Sequence, residues 1–94
     1  MSNFKKRWCT STITSGDGYA VTFRGRSQII YQEAALRVFI EAERIYRKRY
    51  GWAFSKHDMF LHGGISLEDT KLQQKIADRI AAVCEHLEID ALID

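Results

Sequence analysis

Three residues with metal-binding side chains, His57, Asp58 and His62, lie close together in the chain. Imidazole and carboxylate groups at such short loop spacing are typical zinc ligands, and a cysteine often completes the set. Cys9 or Cys84 would have to be brought to them by the fold. Because spacing of this kind also arises by chance, we expect the two histidines to face water and predict neither a metal site nor a bound cofactor.

Acid–base catalysis needs only two positioned titratable groups. His57 or His62 with Glu33 or Glu41 would suffice for a small ribonuclease, but the sequence does not position them. The chain contains none of the compact signatures GxGxxG, GxxxxGK[ST], GxSxG, HExxH or CxxC. We therefore expect that the protein is not an enzyme.

The segment 44–52 interleaves cationic and aromatic side chains. Cations neutralise phosphates and rings stack on bases, so the pattern favours a nucleic-acid surface. The same rings could instead belong to the core, with the cations on the solvated face. A small RNA-binding module that uses this segment is therefore an alternative prediction. Its members are Arg44, Tyr46, Arg47, Lys48, Arg49, Tyr50 and Trp52.

The composition is that of one domain. The chain has 94 residues, of which 46% are hydrophobic and 28% charged, enough for one modest core. No stretch approaches the roughly 20 apolar residues of a membrane span, and no apolar segment follows the basic N-terminal residues. We expect a single domain over 1–94, a cytoplasmic location without membrane contact, and two reduced cysteines.

Charge is divided unevenly along the chain. Residues 1–56 contain eleven Lys or Arg and four Asp or Glu, whereas residues 57–94 contain three and eight. The two parts carry +7 and −5, and their sum is the overall +2. Such a division indicates electrostatic matching, either between the two parts of this fold or with a charged partner.

Hydrophobic periodicity predicts an antiparallel sheet followed by a helix. Strands are predicted over 7–15, 19–23, 28–31 and 50–54, with glycine-containing turns at 16–18 and 24–26. A loop is predicted over 57–64. Ser66 is predicted to cap a helix whose apolar stripe runs to residue 87, and 89–93 alternates like a last short strand. The stripe consists of Leu72, Ile76, Ile80, Val83 and Leu87.

The segment 33–49 has two readings. Good helix formers and an apolar residue every three to four positions favour a helix. Val38, Ile40 and Ala42 at spacing two favour a strand with branched residues. The residues alone leave both open.

From residue 18 onward, the order of features resembles a family of small bacterial polymorphic-toxin immunity proteins, including partners of contact-dependent growth inhibition toxins. The front of that pattern is RxxxxYxE followed by alternating apolar residues and a Glu. The back is an Ile-Ser start, an amphipathic helix and an acidic-apolar end, present here as 65–66, 72–87 and 88–90. The front is matched by Arg26, Tyr31, Glu33, Arg37, Val38, Ile40, Ala42 and Glu43.

The chain departs from the pattern at two places. Residues 59–62 stand where a Trp and paired prolines usually precede the helix, and Ala34 stands where a Gly usually follows the Tyr-x-Glu. The resemblance implies a strand over 37–43. It also implies an α+β fold, in which an antiparallel sheet of about five to six strands packs against one long C-terminal helix.

The resemblance further implies a protein without catalysis that binds and blocks one cognate toxin domain, most often a nuclease such as a tRNase or RNase. We expect a monomer bound one-to-one to the toxin C-terminal domain, and no nucleic acid. Acidic side chains would meet the basic groove of the toxin, or basic residues would meet an acidic toxin surface, and aromatics would anchor the contact. Candidate toxin-binding residues are Asp58, Glu68, Asp69, Asp78, Trp52, Arg47 and Arg49. The pattern residues Tyr31, Glu33 and Glu43 carry no assigned binding role.

Overall fold

Seven β-strands and one α-helix make up the computed structural model, which describes residues 4–6, 11–46 and 49–94. Cys9, Arg47 and Lys48 lie outside the described residues, and so does part of the strand predicted over 7–15. The elements are β1 Phe4–Lys6, β2 Thr12–Ser15, β3 Tyr19–Arg24, β4 Gln28–Glu33, β5 Leu36–Tyr46, β6 Tyr50–Phe60, α1 Thr70–His86 and β7 Asp90–Ile93. The α+β class is confirmed, but the predicted count of five to six strands is too low. The additional strand, β1, pairs with β2.

The seven strands form one sheet in chain order. Neighbouring strands from β1 to β6 run antiparallel, whereas β7 runs parallel to β6. The expectation of a purely antiparallel sheet is therefore wrong at this edge. The reason is α1, which carries the chain back along the sheet between β6 and β7, and such a crossover joins parallel strands.

The ambiguous segment 33–49 contains a strand, as the resemblance implied. β5 pairs with β4 on one side and with β6 on the other. Val38 and Ile40 are fully buried, while Arg37 and Glu41 are exposed. Pairing on both sides gives hydrogen-bond partners to the backbone groups that point to either side of the strand, and this overrides the helical spacing of the same residues.

The first half of the segment predicted as a loop over 57–64 is strand. β6 extends to Phe60, and only 61–65 form the connection. Between the pairs Ile40 with Met59 and Ala42 with Phe54, β5 advances two residues and β6 advances five. This irregularity hides the alternation that a regular strand would show, which explains why the sequence pattern missed it.

The helix begins later than predicted, and its cap is a different residue. Asp69, not Ser66, is the N-cap, and its Oδ1 accepts hydrogen bonds from the backbone N–H groups of Lys71 and Leu72, both at 3.1 Å. Ser66 is still extended there and bridges to Phe60. A carboxylate at this position also lies favourably against the positive end of the helix dipole.

One hydrophobic core lies between α1 and one face of the sheet. The predicted stripe supplies Ile76, Ile80 and Val83, all with no exposed surface. At the edge of the sheet, β7 packs so closely that a Cβ on Gly51 would lie 2.2 Å from the backbone oxygen of Asp90. Only glycine permits this approach. Among the described residues, no helix has the length and apolar character needed to cross a membrane.

Candidate protein-binding surface

The helix connects two chemically different ends of the molecule. Just before α1, the backbone N–H of Leu67 donates to the oxygen of Met59, at 2.8 Å, close to the last residue of β6. Just after α1, Leu87 lines a cleft together with Trp52, near the start of β6. The predicted acidic residues lie near the first end, and the basic and aromatic residues lie at the second.

The first end, called here the acidic end, consists of Asp58, Glu68 and Asp69, all exposed. Backbone bonds join Leu61 to Ile65 and Leu67 to Met59. These bonds bring the segment of Glu68 beside the end of β6, which carries Asp58. The carboxylate of Asp69 is engaged as the helix cap, so Asp58 and Glu68 supply the freely solvated charge.

Asp78, the fourth acidic candidate, lies farther along the exposed face of α1. Its Oδ1 accepts a hydrogen bond from Gln74 Nε2 at 2.8 Å, and Gln74 Oε1 accepts from Lys56 Nζ at 2.9 Å. Asp78 therefore belongs to a surface hydrogen-bond chain that ties the helix to β6. It lies more than two helical turns from Asp69, so it extends the acidic surface rather than joining the cluster.

The second end, called here the basic end, consists of Arg24, Arg26, Arg44 and Arg49. The backbone N–H of Arg44 donates to the oxygen of Arg26 at 3.3 Å, which brings the β3–β4 turn beside the segment 44–52. Sequence reasoning did not place Arg24 and Arg26 at this end, because both were interpreted as turn residues around Gly25 and Arg26 also as part of the family pattern. Arg49, a predicted contact residue, pairs its Nε with Asp90 Oδ1 at 2.8 Å.

A small cleft of about 150 Å³ opens at this end. The rings of Phe23 and Trp52 stack with centroids 5.5 Å apart. The guanidinium carbon of Arg44 lies 5.2 Å from the centroid of Trp52 and 5.3 Å from that of Tyr50. We name this feature the aromatic cleft; its described lining is Ser11, Ile13, Phe23, Arg44, Tyr50, Trp52 and Leu87.

The aromatic residues of the segment 44–52 divide between core and surface. Trp52 is 1% exposed, so its ring belongs to the core and borders the cleft from within. Tyr46 is 74% exposed and Tyr50 is 41% exposed, with ring centroids 6.3 Å apart. The two tyrosines, not the predicted Trp52, are the rings that an approaching partner meets first.

The pattern residues Tyr31 and Glu33 join the sheet to the helix. The Tyr31 hydroxyl donates to Glu33 Oε1 at 2.7 Å and accepts from Arg79 Nη1 at 2.7 Å. Arg79 Nη1 also lies 3.1 Å from Glu33 Oε1, and Lys75 Nζ lies 3.3 Å from it. The guanidinium carbon of Arg79 is 4.5 Å from the centroid of Tyr19. We call this set the Tyr31 network.

The Tyr31 network shifts the acidity of its members in opposite directions. Burial, reinforced by the bond to Glu33, raises the pKa of Tyr31 to about 12. The hydrogen bond from Tyr31, with those from Lys75 and Arg79, holds the pKa of Glu33 below its ordinary value. Tyr31 thus stays neutral and Glu33 stays ionised, which is the pairing that a structural clamp requires. The third pattern residue, Glu43, is exposed on β5 opposite Ala53.

The residues considered for metal binding or catalysis are dispersed. His57 and Asp58 are exposed on β6, and His62 lies in the connection 61–65. Cys84 is buried in α1, and burial raises its pKa to about 12. Within the described ranges, no three His, Cys, Asp or Glu side chains form a metal-binding group. Glu33 belongs to the Tyr31 network, while Glu41 and His62 line one shallow groove.

Internal ion pairs account for only part of the charge division. Arg49 with Asp90 joins the basic first part of the chain to the acidic second part. Glu33 with Lys75 and Arg79 joins the same parts with the signs reversed. The acidic end and most of the basic end remain solvated, so their charges are free to meet a partner.

Comparisons of this chain with protein-family models, with curated proteins and with solved structures give no significant match.

Proposed function

We propose that this protein is a cytoplasmic immunity protein that binds a cognate nuclease toxin domain of a contact-dependent growth inhibition system, one-to-one, and blocks its active site. The observation that carries the proposal is the order of features from residue 18 onward. Tyr31 and Glu33, the polar core of that pattern, lie where the sheet joins α1. Because these pattern residues stabilise the fold, the exposed residues can differ between proteins that bind different toxins.

The acidic end is the surface proposed to enter the toxin. A nuclease groove that holds phosphates is basic, and exposed carboxylates steer association with such a groove. Asp58 and Glu68 are exposed there, with no hydrogen bond or ion pair within the described residues that would compete. Asp69 contributes mainly to the helix start.

A second candidate function uses the basic end. Tyr46 and Tyr50 expose their rings near Arg44, whose guanidinium carbon lies 5.3 Å from the Tyr50 centroid, and this arrangement also suits single-stranded RNA. A small RNA-binding module therefore stays the alternative. Buried Trp52 cannot offer its ring to a base, which makes the RNA surface smaller than the sequence alone predicts.

Co-expression tests the proposed function directly. The chain is produced together with the product of the upstream reading frame, where that frame encodes the tail of a large secreted protein, and growth and co-purification are recorded. Rescue of growth together with a stable complex supports an immunity protein. Absence of both overturns the proposal.

Charge reversal then identifies the surface. Glu68→Lys should slow association with the toxin domain roughly tenfold at low salt, and much less at high salt. Glu43→Lys, the same change at an exposed position on β5 opposite Ala53, is the matched control. Equal rates for the two variants would exclude the acidic end as the contact surface.

The RNA alternative has its own measurement. A gel shift with single-stranded RNA should weaken steeply with salt and disappear in the triple variant Arg47→Glu, Lys48→Glu, Arg49→Glu. No shift at low salt would eliminate this alternative.

A further inference from the structure

Arg44 is a cation without a counter-ion in this fold. Of its five N–H donors, only one on Nη2 has a partner, the oxygen of Gly25 at 3.5 Å, while Nε is buried and has none. The ion pairs within the described residues do not include Arg44. The segments outside those residues contain no Asp or Glu. No carboxylate side chain of this chain therefore neutralises Arg44.

Aromatic contact compensates Arg44 only in part. The faces of Tyr50 and Trp52 attract the guanidinium through their π-electrons. Ring faces do not accept the in-plane N–H groups as an oxygen does, and a buried donor without an acceptor costs free energy. A negatively charged acceptor in the cleft would neutralise Arg44 and accept from its Nη1 group, which unlike Nε is not enclosed.

The size and lining of the aromatic cleft limit what that acceptor is. A volume of about 150 Å³ corresponds to roughly five water molecules at about 30 Å³ each. This accommodates a planar carboxylate with one or two methylenes, and the neighbouring Phe23 and Leu87 suit the methylenes. Guanidinium and carboxylate form two parallel hydrogen bonds when both are planar and accessible.

We propose that the aromatic cleft receives an Asp or Glu side chain of the partner protein, with Arg44 as the residue that binds it. The partner is the toxin domain of the proposed function, on which this assignment rests. The positive charge of Arg44 in the cleft favours an acidic side chain over a neutral one. The toxin is therefore held at two places, by its basic groove at the acidic end and by a carboxylate at the basic end.

RNA fits the cleft less well than a carboxylate side chain. Phe23 and Trp52 already stack on each other, and Trp52 is buried, so neither ring can stack freely on a base. A phosphodiester is also bulkier than a carboxylate and draws its affinity mainly from exposed cations. Binding of RNA in preference to a carboxylate is the outcome that would replace this assignment.

A titration without the toxin tests the cleft by itself. The probe is aspartate capped as its N-acetyl amide, and the readout is the ¹⁵N resonance of Arg44 Nε with the indole resonance of Trp52. We expect a saturable shift with a dissociation constant of roughly 1 mM, typical of a single charged contact. Capped asparagine, which has the same shape without the charge, should bind at least tenfold more weakly. Equal binding of the two probes, or no shift, would overturn the assignment.

Two lysine variants distinguish binding by the Arg44 guanidinium in the cleft from attraction by positive charge in general. Arg44→Lys keeps the charge but loses the planar fork, and should weaken binding of the capped aspartate at least tenfold, measured at the Trp52 indole. Arg37→Lys makes the same change at an exposed arginine that also lies against a ring, that of Phe39 at 5.4 Å, but away from the cleft, and it should bind as the natural protein does. Equal loss in both, or larger shifts with a short single-stranded RNA than with aspartate, would contradict a carboxylate site.

The toxin complex gives an independent readout. If Arg44→Lys weakens the complex at least tenfold and Arg37→Lys does not, the cleft lies in the interface. A saturable resonance shift with capped aspartate, without any rescue of growth by the natural protein, would disprove the immunity function but not the carboxylate site in the cleft. Equal rescue of growth by both variants, without a resonance shift on addition of capped aspartate, would disprove the carboxylate site in the cleft but not the immunity function.

Discussion

Three arginines lie against aromatic rings within the described residues. Arg37, against Phe39, is exposed, whereas Arg79 and Arg44 are partly buried, and of these two only Arg79 has a carboxylate. Arg79 lies 4.5 Å from the centroid of Tyr19 and is paired with Glu33 at 3.1 Å. Arg44 lies 5.2 Å from the centroid of Trp52 and has no ion pair within the described residues. The arginine–aromatic contact at Arg79 is neutralised by a carboxylate, and we call that region closed. The contact at Arg44 is not neutralised, and we call that region open. Arg79 therefore stabilises the fold, whereas Arg44 is the arginine that we propose binds a carboxylate of the partner.

The closed region depends on the two-residue spacing of Tyr31 and Glu33. Residues at i and i+2 of a strand share one face, so both side chains point toward α1 and meet Arg79. The open region has no such pair, because the residue two positions after Arg44 on β5 is Tyr46. A ring in place of a carboxylate leaves the guanidinium uncompensated.

The largest expected effect on stability comes from removing the clamped arginine. Arg79→Met should lower the free energy of unfolding by about 2 kcal/mol, since it removes a charged hydrogen bond, an ion pair and a ring contact together. Arg44→Met, which loses ring contact but no ion pair, should cost less than about 1 kcal/mol. Urea unfolding of both variants measures the difference. Equal losses would mean that the two arginines do not differ in their structural role.

A smaller effect is expected from the tyrosine hydroxyl. Tyr31→Phe removes the group that bridges Glu33 and Arg79, and should destabilise the fold by about 1.5 kcal/mol because the hydroxyl is bonded to two charged groups. Tyr19→Phe is the matched control, since the Tyr19 hydroxyl forms no hydrogen bond within the described residues. Thermal unfolding should separate the two variants. A larger loss for Tyr19→Phe would contradict the bridging role of Tyr31.

The lowered pKa of Glu33 in the Tyr31 network predicts that the free energy of unfolding falls in acid. The folded-state pKa of Glu33 lies below its ordinary value of 4.5, so the unfolded chain binds the proton more readily. The stabilisation by Glu33 is therefore complete above that value and is lost as the pH falls below it. Glu33→Gln should cost about 1 kcal/mol at pH 7, and its stability should approach that of the natural protein in acid. A gap that stays constant with pH would contradict the ionised clamp.

Local signals in the sequence predicted the helix stripe, the glycine turns and the strands β3 and β4. The resemblance decided β5, where periodicity alone favoured a helix. The end of β6 and the cap at Asp69 were not predictable, since both depend on the register between Phe60 and Ser66. That register is set by pairing across a turn, and no periodicity within either segment reports it.

The candidate site was predictable in residue types but not in grouping. The basic-aromatic segment 44–52 was identified, yet its partners Arg24 and Arg26 come from a turn more than 17 positions earlier. Burial of Trp52 and solvation of Tyr46 also depend on which strand face meets α1. Asp58 and Glu68 were predicted together as acidic candidates near the helix start, and the hydrogen bond between Leu67 and Met59 brings their segments together.

The smallest expected effect concerns the turn that follows Glu33. Ala34 has φ +53, a left-handed conformation in which its Cβ is crowded against the backbone. Ala34→Gly removes that strain, although the unfolded chain gains entropy, so we expect a net stabilisation of about 0.5 kcal/mol. Ala35→Gly, next to it in the same turn and without a positive φ, should instead destabilise by a similar amount. Urea unfolding of the two variants should give shifts of opposite sign. Two destabilising shifts would mean that the turn relaxes around Ala34, and that the end of β4 next to the Tyr31 network carries no stored strain.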